Sequence, residues 1–252
     1  MTILTVNEDN LNEFPQVVCF INAKNEHHGM KITWLRERFR EGLRIKVMKL
    51  QGEKSIVGFV EYVPGEYAWR AVNAKGFMFI HCMWISPNKY RNQGFGRSLL
   101  EAVVEDAREQ NQSGVVAMVS DGAFMIRKDL FLKNGFEVVQ EEGDMQLVAR
   151  RFNKKRALPL FNDVKSRLAE YQGWHIVYSK QCPWVARFME ELKPILKREE
   201  LSLDIHELTS ALEAQNAPSH YATFNLIKDG RLLADRYIST TRFMNILKKE
   251  RR

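Results

Sequence analysis

Residues 90–102, YRNQGFGRSLLEA, combine an arginine, two closely spaced glycines and the start of a helical pattern. The apolar spacing predicts a helix over residues 96–109 that follows a strand over residues 77–85. A helix N-terminus carries unpaired amide donors and partial positive charge, and therefore suits an anion such as a diphosphate. Gly94 and Gly96 would let the backbone approach that anion closely, because no Cβ intervenes.

The same turn could also be a plain strand–helix connection that uses glycine, or one of two common phosphate motifs. The dinucleotide fingerprint needs a third glycine and a later acidic residue, but Gly96 is the last glycine before Gly114. The P-loop ends in Gly-Lys-Ser/Thr, whereas Gly96 is followed by Arg97 and Ser98. Neither phosphate motif fits.

Composition narrows the class of protein. The chain has 252 residues, a net charge of +7 and 45% hydrophobic residues, enough for one large or two small globular domains. Its basic charge is dispersed, so nucleic-acid binding is not predicted, although a phosphate-bearing cofactor would be attracted. No membrane span or signal peptide is expected. Three widely separated cysteines, Cys19, Cys82 and Cys182, favour a reducing cytoplasmic setting over a disulfide framework.

Strands and helices that would position the glycine turn alternate through residues 1–151, predicting a mixed α/β domain. Strands are expected at residues 3–6, 43–50, 55–63, 77–85, 114–120, 136–140 and 145–151. Helices are expected at residues 11–23, 31–41, 96–109 and 125–134, with Gly29 separating the first two.

A second domain is predicted at residues 161–252, after a basic linker at residues 152–160. Its expected order is β-α-β-α-β-β-α, typical of a small thioredoxin-like α/β domain. The strands are expected at residues 174–179, 201–208, 221–227 and 231–238. After an initial helix at 161–173, the helices are expected at 183–199, at 209–215 and from Thr240 or Thr241 onward.

Residues 83–107, MWISPNKYRNQGFGRSLLEAVVEDA, resemble the acyl-CoA-binding motif of the GNAT superfamily of N-acetyltransferases. FLKNGFEVV, residues 131–139, is similar to the helix and strand that follow later in that family. The resemblance covers residues 1–151 and implies a GNAT fold with acetyl-CoA as cofactor. The whole chain is similar to bacterial members with a C-terminal extension.

The resemblance implies two sets of coenzyme contacts. The backbone of Met83, Trp84 and Ile85 would pair with the pantetheine amides like an added strand. The pyrophosphate would be held by Arg91, Asn92, Gln93, Gly94, Phe95, Gly96, Arg97 and Ser98. The loop before Arg91 is one residue longer than is usual in the family.

Acyl transfer to an amine needs a group that removes the ammonium proton. His81 is the first candidate, because it lies on the central strand where some family members carry a catalytic histidine; a core histidine is the alternative. Glu61 is the second candidate, with a solvated strand glutamate as its alternative. The tyrosine that often protonates the departing thiolate is replaced by Phe131.

The stretch YSKQCPWV, residues 178–185, looks like a thioredoxin or glutaredoxin active-site turn. Its second cysteine position holds Val185, so only Cys182 could act as a thiol. The family's cis-proline position falls on Ala222. A degenerate domain that shapes the acceptor pocket or binds a partner is the alternative to thiol chemistry.

The predicted function is direct transfer of acetyl from acetyl-CoA to a small-molecule or protein amine in a ternary complex. The alternatives are a non-catalytic acyl-CoA-binding or regulatory module, and a thiol-redox protein acting through Cys182. No metal site is expected, because side chains of the adjacent His27 and His28 should point apart. These patterns specify no acceptor and no oligomeric state.

Overall fold

The computed structural model describes residues 1–122 and 125–251, and the chain forms two compact units. The first unit comprises Met1–Asn25, Leu35–Ala68 and Val72–Phe161, and the second comprises Glu26–Trp34, Trp69–Ala71 and Asn162–Arg252. No helix among the described residues is both long and apolar enough to cross a membrane.

The first unit is built on a seven-stranded sheet. Its strands are β1 (Thr2–Val6), β2 (Arg44–Lys49), β3 (Gly58–Pro64), β5 (Met78–Ile85), β6 (Gly114–Val119), β7 (Glu137–Glu142) and β8 (Met145–Arg151). They lie in the order β1-β2-β3-β5-β6-β8-β7. Every neighbouring pair is antiparallel except β5 and β6, which are parallel. This sheet confirms the predicted mixed α/β class. A separate short ladder pairs β4 (Val72–Asn73) with β9 (Leu160–Phe161).

Helices α2 (Phe95–Glu109) and α3 (Lys128–Leu132) lie wholly within this unit, whereas α1 (Glu26–Phe39) begins in the second unit and ends in the first. Helix α2 buries an apolar stripe that recurs every three or four residues, as an amphipathic helix must. The stripe packs on one face of the sheet and consists of Leu99, Leu100, Val103, Val104 and Ala107. Because α2 packs into the core, the position of the turn that precedes it is also fixed.

The helix predicted over residues 11–23 is wrong. Two short 3₁₀ turns, Leu11–Glu13 and Pro15–Val17, occupy its first half. Pro15 supplies no amide hydrogen, so a helix cannot continue through it, and Cys19 and Phe20 then take positive φ.

The second helix begins earlier than residue 31. Helix α1 starts at Glu26, so Gly29 lies inside it rather than separating two helices. Helix α3 is also shorter than the predicted 125–134.

The second unit contains a four-stranded sheet in the order β11-β10-β12-β13. These strands are β10 (Trp174–Tyr178), β11 (Asp204–Glu207), β12 (Phe224–Lys228) and β13 (Arg231–Ala234), and the helices are α4 (Val164–Leu168), α5 (Pro183–Arg198), α6 (Ala211–Gln215) and α7 (Thr240–Glu250). Strands β10 and β11 are parallel, and the other two pairings are antiparallel. From β10 onward the element order is β-α-β-α-β-β-α.

Several elements of this unit are shorter than the sequence predicts, among them β11, β12 and α6. The helix expected over residues 161–173 is reduced to α4, because Leu160 and Phe161 pair with β4 and Asp163 caps the helix by accepting from the Lys165 and Ser166 amides. The last strand ends at Ala234 rather than at residue 238.

Candidate active site

The turn between β5 and α2 has the backbone that the glycine pattern predicts. A 3₁₀ turn over Asn88–Tyr90 leads to Arg91, and helix α2 begins at Phe95. Asn92 has φ of 62°, and Gly94, the residue before the helix, has φ of 83°. Glycine takes this left-handed conformation without the Cβ penalty of other residues.

The start of α2 presents free amide donors. Ser98 is the first residue whose amide bonds backward, donating to the Gly94 carbonyl at 3.1 Å. Within the described part of the chain, the amides of Phe95, Gly96 and Arg97 have no acceptor. Three aligned N–H groups at the positive end of a helix form a seat for an anion.

Gly94 and Gly96 are glycines for different reasons. A Cβ on Gly94 would meet no atom within 4 Å, but the φ of +83° strains any other residue. A Cβ on Gly96 would lie 3.5 Å from the Leu130 methyl groups, an ordinary van der Waals distance, and Gly96 has no positive φ. The fold itself therefore accepts alanine at Gly96, which leaves close approach of a ligand as the physical reason for glycine there.

Two arginines supply positive charge beside these donors. Arg91 and Arg97 are both exposed. Neither forms an ion pair with any residue that the structure describes. Guanidinium groups can bind phosphate oxygens through paired hydrogen bonds, so both side chains are available to a diphosphate.

A buried tyrosine anchors the turn. Tyr90 packs in the core beneath α2 and donates its hydroxyl hydrogen to Glu53, in the turn between β2 and β3. This hydrogen bond, with the nearby Lys89 charge, lowers the pKa of the Glu53 carboxyl. Neither residue is among those predicted from the sequence; the one available signal was an aromatic residue in an otherwise polar loop.

Strands β5 and β6 part from each other beyond their first residues. Their ladder joins Met78, Phe79 and Ile80 to Val115, Val116 and Ala117 and goes no further, although both strands continue. The residues of β5 also change from buried to half-buried at Cys82. The sheet therefore opens into a cleft between the ends of these strands.

The backbone of Met83, Trp84 and Ile85 lines that cleft. On one side these residues pair with Val60, Phe59 and Gly58 of β3. On the β6 side they have no ladder partner among the described residues. Their peptide groups can thus pair with an extended ligand in the manner of an added strand.

A β-bulge places His81 at the closed end of the cleft. Glu61 lies opposite Cys82, whereas Tyr62 lies opposite Ile80, so His81 is the extra residue of β5. Bulges redirect side chains and are common beside functional sites.

The bulge resets the alternation of side chains along β5. Ile80 packs in the α2 core, and so do Met83 and Ile85, three and five residues later. In a regular strand, residues on one face are separated by an even number of positions. The spacing of three between Ile80 and Met83 therefore means that the two residues between them, His81 and Cys82, both face away from α2.

His81 and Glu61 meet on this opposite face of the sheet. The His81 Nδ1 atom lies 3.4 Å from Glu61 Oε1, and the two side chains are 0% and 2% exposed. Glu61 is therefore buried, and its solvated alternative is wrong. A buried carboxylate next to an imidazole stabilises the protonated form of that ring.

Phe131, at the position where the family often has tyrosine, is fully buried in α3. It makes an edge-to-face contact with Phe136, with ring centroids 5.1 Å apart. This position supplies no proton to a departing thiolate.

Cys182 precedes α5 in the second unit, with Pro183 in the first helical turn. It is half-buried and packs against the apolar core of that unit. Val185 is buried in the same core. Ala222, at the expected cis-proline position, has φ of 59°.

Of the predicted site residues, the structure brings together two groups within the first unit. Residues 91–98 form the donor-rich turn, and residues 81–85 run from the His81–Glu61 pair along the open edge of β5. His27 and His28 lie in the first turn of α1 and not between two helices.

Solved acetyltransferases resemble part of this chain. A ribosomal-protein-alanine N-acetyltransferase from Brucella melitensis matches with 19% identity and a TM-score of 0.44 over 60% of this chain and 100% of its own. The yncA protein of Salmonella typhimurium, a putative acetyltransferase solved with its cofactor acetyl-CoA, matches with 16% identity and a TM-score of 0.44 over 62% and 96%. At these TM-scores, neither likeness bears on function.

A relative matches the whole chain. It is the Uncharacterized N-acetyltransferase YoaP of Bacillus subtilis (strain 168), with 29% identity over 98% of both chains. The match agrees with the whole-chain resemblance described above. The model of the Acetyltransferase (GNAT) family matches residues 8–136, half of the sequence, and confirms the predicted acyltransferase class. The chain belongs to the acetyltransferase (GNAT) family.

Proposed function

We propose that this protein transfers the acetyl group of acetyl-CoA to an amine by direct attack in a ternary complex. The proposal rests on two features that occur in the same unit. The α2 N-terminus presents acceptor-free amides, and the neighbouring β5 has an open backbone edge that ends at His81.

The coenzyme would occupy these two features in sequence. Its pyrophosphate would accept hydrogen bonds from the amides of residues 95–97, with Arg91 and Arg97 balancing its charge. The residues beside them, Asn92, Gln93, Gly94 and Ser98, would complete the turn around it. Its pantetheine amides would pair with Met83–Ile85, which directs the thioester toward His81.

Bound acetyl-CoA would supply an electrophilic thioester carbonyl. Its C–S bond would break as the amine forms the new C–N bond, and CoA would leave as a thiolate that takes up a proton from solvent. His81 would accept the proton that the amine loses, and with Nδ1 directed at Glu61 we assign this role to Nε2. Glu61 would stabilise the imidazolium that results. Burial of both side chains strengthens that interaction by excluding water.

We assign residues 1–151 to the catalytic domain, residues 152–160 to a linker and residues 161–252 to a thioredoxin-like extension. The order β11-β10-β12-β13, with one parallel pair, supports the last assignment. Since the second thiol position holds the buried Val185, the extension would bind a partner rather than act as a dithiol. The acceptor is a small-molecule or protein amine.

The test incubates the full chain with acetyl-CoA and a panel of alkyl amines, amino acids and peptide N-termini. Released CoA is quantified by chromatography and the acetylated product by mass spectrometry. His81→Gln should abolish most product formation, whereas His206→Gln should not, because His206 is exposed on β11 of the second unit.

Two results would favour the alternative functions. Acetyl-CoA binding without product from any amine would indicate a non-catalytic binding module. Loss of activity in Cys182→Ser, with a mixed disulfide detected by mass, would indicate thiol chemistry; an unchanged rate would exclude it.

A further inference from the structure

Three side chains of metal-ligand type converge in the second unit: two come from adjacent residues, and the third is distant in sequence. Glu26 and His27 open helix α1, and Glu190 lies in the middle of α5. The His27 Nε2 atom is 3.5 Å from Glu26 Oε1 and 3.7 Å from Glu190 Oε2. All three ligand atoms lie within 4.8 Å of one another.

The imidazole of this cluster is buried, whereas its two carboxylates are exposed. His27 is only 4% exposed, whereas the side chains of Glu26 and Glu190 are 77% and 51% exposed. Exposed carboxylates gather on many surfaces without a ligand. Here a buried imidazole directs one nitrogen between two carboxylates that are accessible from solvent, which is the arrangement of a site with an entry path.

We propose that Glu26, His27 and Glu190 bind a divalent transition-metal ion, of which zinc is the best match. Zn–N and Zn–O bonds of about 2.0–2.2 Å place the ligand atoms of a tetrahedral site about 3.3–3.5 Å apart. The distances of 3.5 and 3.7 Å from Nε2 to the two carboxylate oxygens are at or just above this range. Three protein ligands leave the fourth corner to water.

The ligand set also selects among cations. Magnesium and calcium prefer sites made of oxygen alone, with six or more ligands. One imidazole and two carboxylates are typical ligands of zinc and its first-row neighbours. The site therefore discriminates against the alkaline-earth ions.

The bound ion would neutralise two carboxylates that otherwise repel each other, and it would join the start of α1 to α5. Because an ion that binds the folded chain stabilises it by mass action, the melting temperature should rise with zinc concentration. The inference is independent of acetyl transfer, since none of these residues belongs to the coenzyme turn or to the His81–Glu61 pair.

The test uses the full chain, stripped with a chelator and dialysed. Zinc chloride is titrated by calorimetry into wild type and into Glu190→Gln, an isosteric change at a half-exposed position that keeps the fold. Glu191→Gln is the matched control, because Glu191 is the next residue of α5 and pairs with Arg187. Cobalt(II) absorption reports the coordination geometry, and magnesium is titrated in parallel.

We expect one zinc ion per chain, a rise in melting temperature, tetrahedral cobalt bands and at least tenfold weaker binding in Glu190→Gln, with Glu191→Gln and wild type alike. Magnesium should give no comparable effect. Absence of stoichiometric zinc binding would overturn the proposal, as would equal affinity in wild type and Glu190→Gln. Either result would mean that the three groups form polar contacts with one another and nothing more.

Discussion

The His81 imidazole and the Glu61 carboxylate lie 3.4 Å apart, buried on adjacent strands at the point where β5 and β6 separate. A β-bulge makes His81 the extra residue of β5 in the β3–β5 ladder, and its side chain lies on the face of the sheet opposite α2. A pair of titratable groups in a buried position can move a proton only if one member can change its charge while the other stabilises it.

We therefore predict that His81→Gln lowers the rate of acetyl transfer by about 10²–10⁴-fold, the usual contribution of a general base. Glu61→Gln should lower it less, and the double variant should resemble His81→Gln because the two residues act as a unit. Steady-state rates with a responsive amine measure this. Circular dichroism controls for folding, and losses that multiply in the double variant would show that the residues act separately.

The sequence predicted the glycine turn at residues 91–98 more fully than the His81–Glu61 pair. The turn and helix α2 could be predicted because they depend on neighbouring residues. A positive φ favours glycine, and a helix shows a repeat of apolar residues. The His81–Glu61 contact depends on a bulge and a strand register. These arise from pairing across the sheet, which a single sequence does not encode locally.

The misjudged elements have similar causes. Residues 11–23 carry an apolar pattern, but Pro15 breaks it and positive φ at Cys19 and Phe20 replaces a helix with turns. Gly29 resembles a helix boundary in the sequence, although neighbouring residues keep α1 continuous through it. The Tyr90–Glu53 contact joins two loops, so only the folded chain reveals it.

Gly94 should be needed for stability in addition to binding. Gly94→Ala is expected to lower the free energy of unfolding by about 1–2 kcal/mol, because alanine pays the left-handed backbone penalty at a φ of 83°. Urea denaturation measures the difference. The control is Gly29→Ala in α1, where an added Cβ meets nothing within 4 Å; it should stabilise the helix by up to about 1 kcal/mol. An unchanged Gly94→Ala variant would mean that the turn relaxes without strain.

Restoring the tyrosine that the family often carries should not improve this enzyme. Phe131 is fully buried against Phe136, so Phe131→Tyr places a hydroxyl in the core. We expect a loss of about 1–3 kcal/mol in unfolding free energy, the cost of a buried unsatisfied polar group, and no gain in rate. Thermal denaturation and the acetyl-transfer assay test both parts, and a faster, equally stable variant would show that the ring can reach the thiolate.

Tyr62 makes stability depend on pH in the alkaline range. Its hydroxyl donates to the buried Asp106 carboxylate at 2.8 Å, and burial, followed by the charge of Asp106, raises the pKa of Tyr62. Above about pH 10, the ordinary tyrosine value, the unfolded chain loses this proton while the folded chain keeps it. The free energy of unfolding should therefore fall as pH rises.

The comparison that isolates this effect is Tyr62→Phe. The variant should be less stable than wild type near neutral pH, because Asp106 loses a donor. The gap should shrink between about pH 10 and 11.5 as wild type loses the tyrosine contribution. Parallel pH dependences of urea denaturation in the two proteins would contradict the assignment.

Calorimetric titration of the full chain with acetyl-CoA tests the central claim most directly, because binding at the α2 N-terminus needs no knowledge of the acceptor. Gly96→Ala is the decisive variant: its Cβ makes only an ordinary contact with Leu130 but adds bulk beside the amides that would bind a diphosphate. We predict one site per chain in wild type and in Gly29→Ala, and at least tenfold weaker binding in Gly96→Ala with a melting temperature no lower than that of wild type. No heat of binding in wild type, or equal affinity in wild type and Gly96→Ala, would contradict the account.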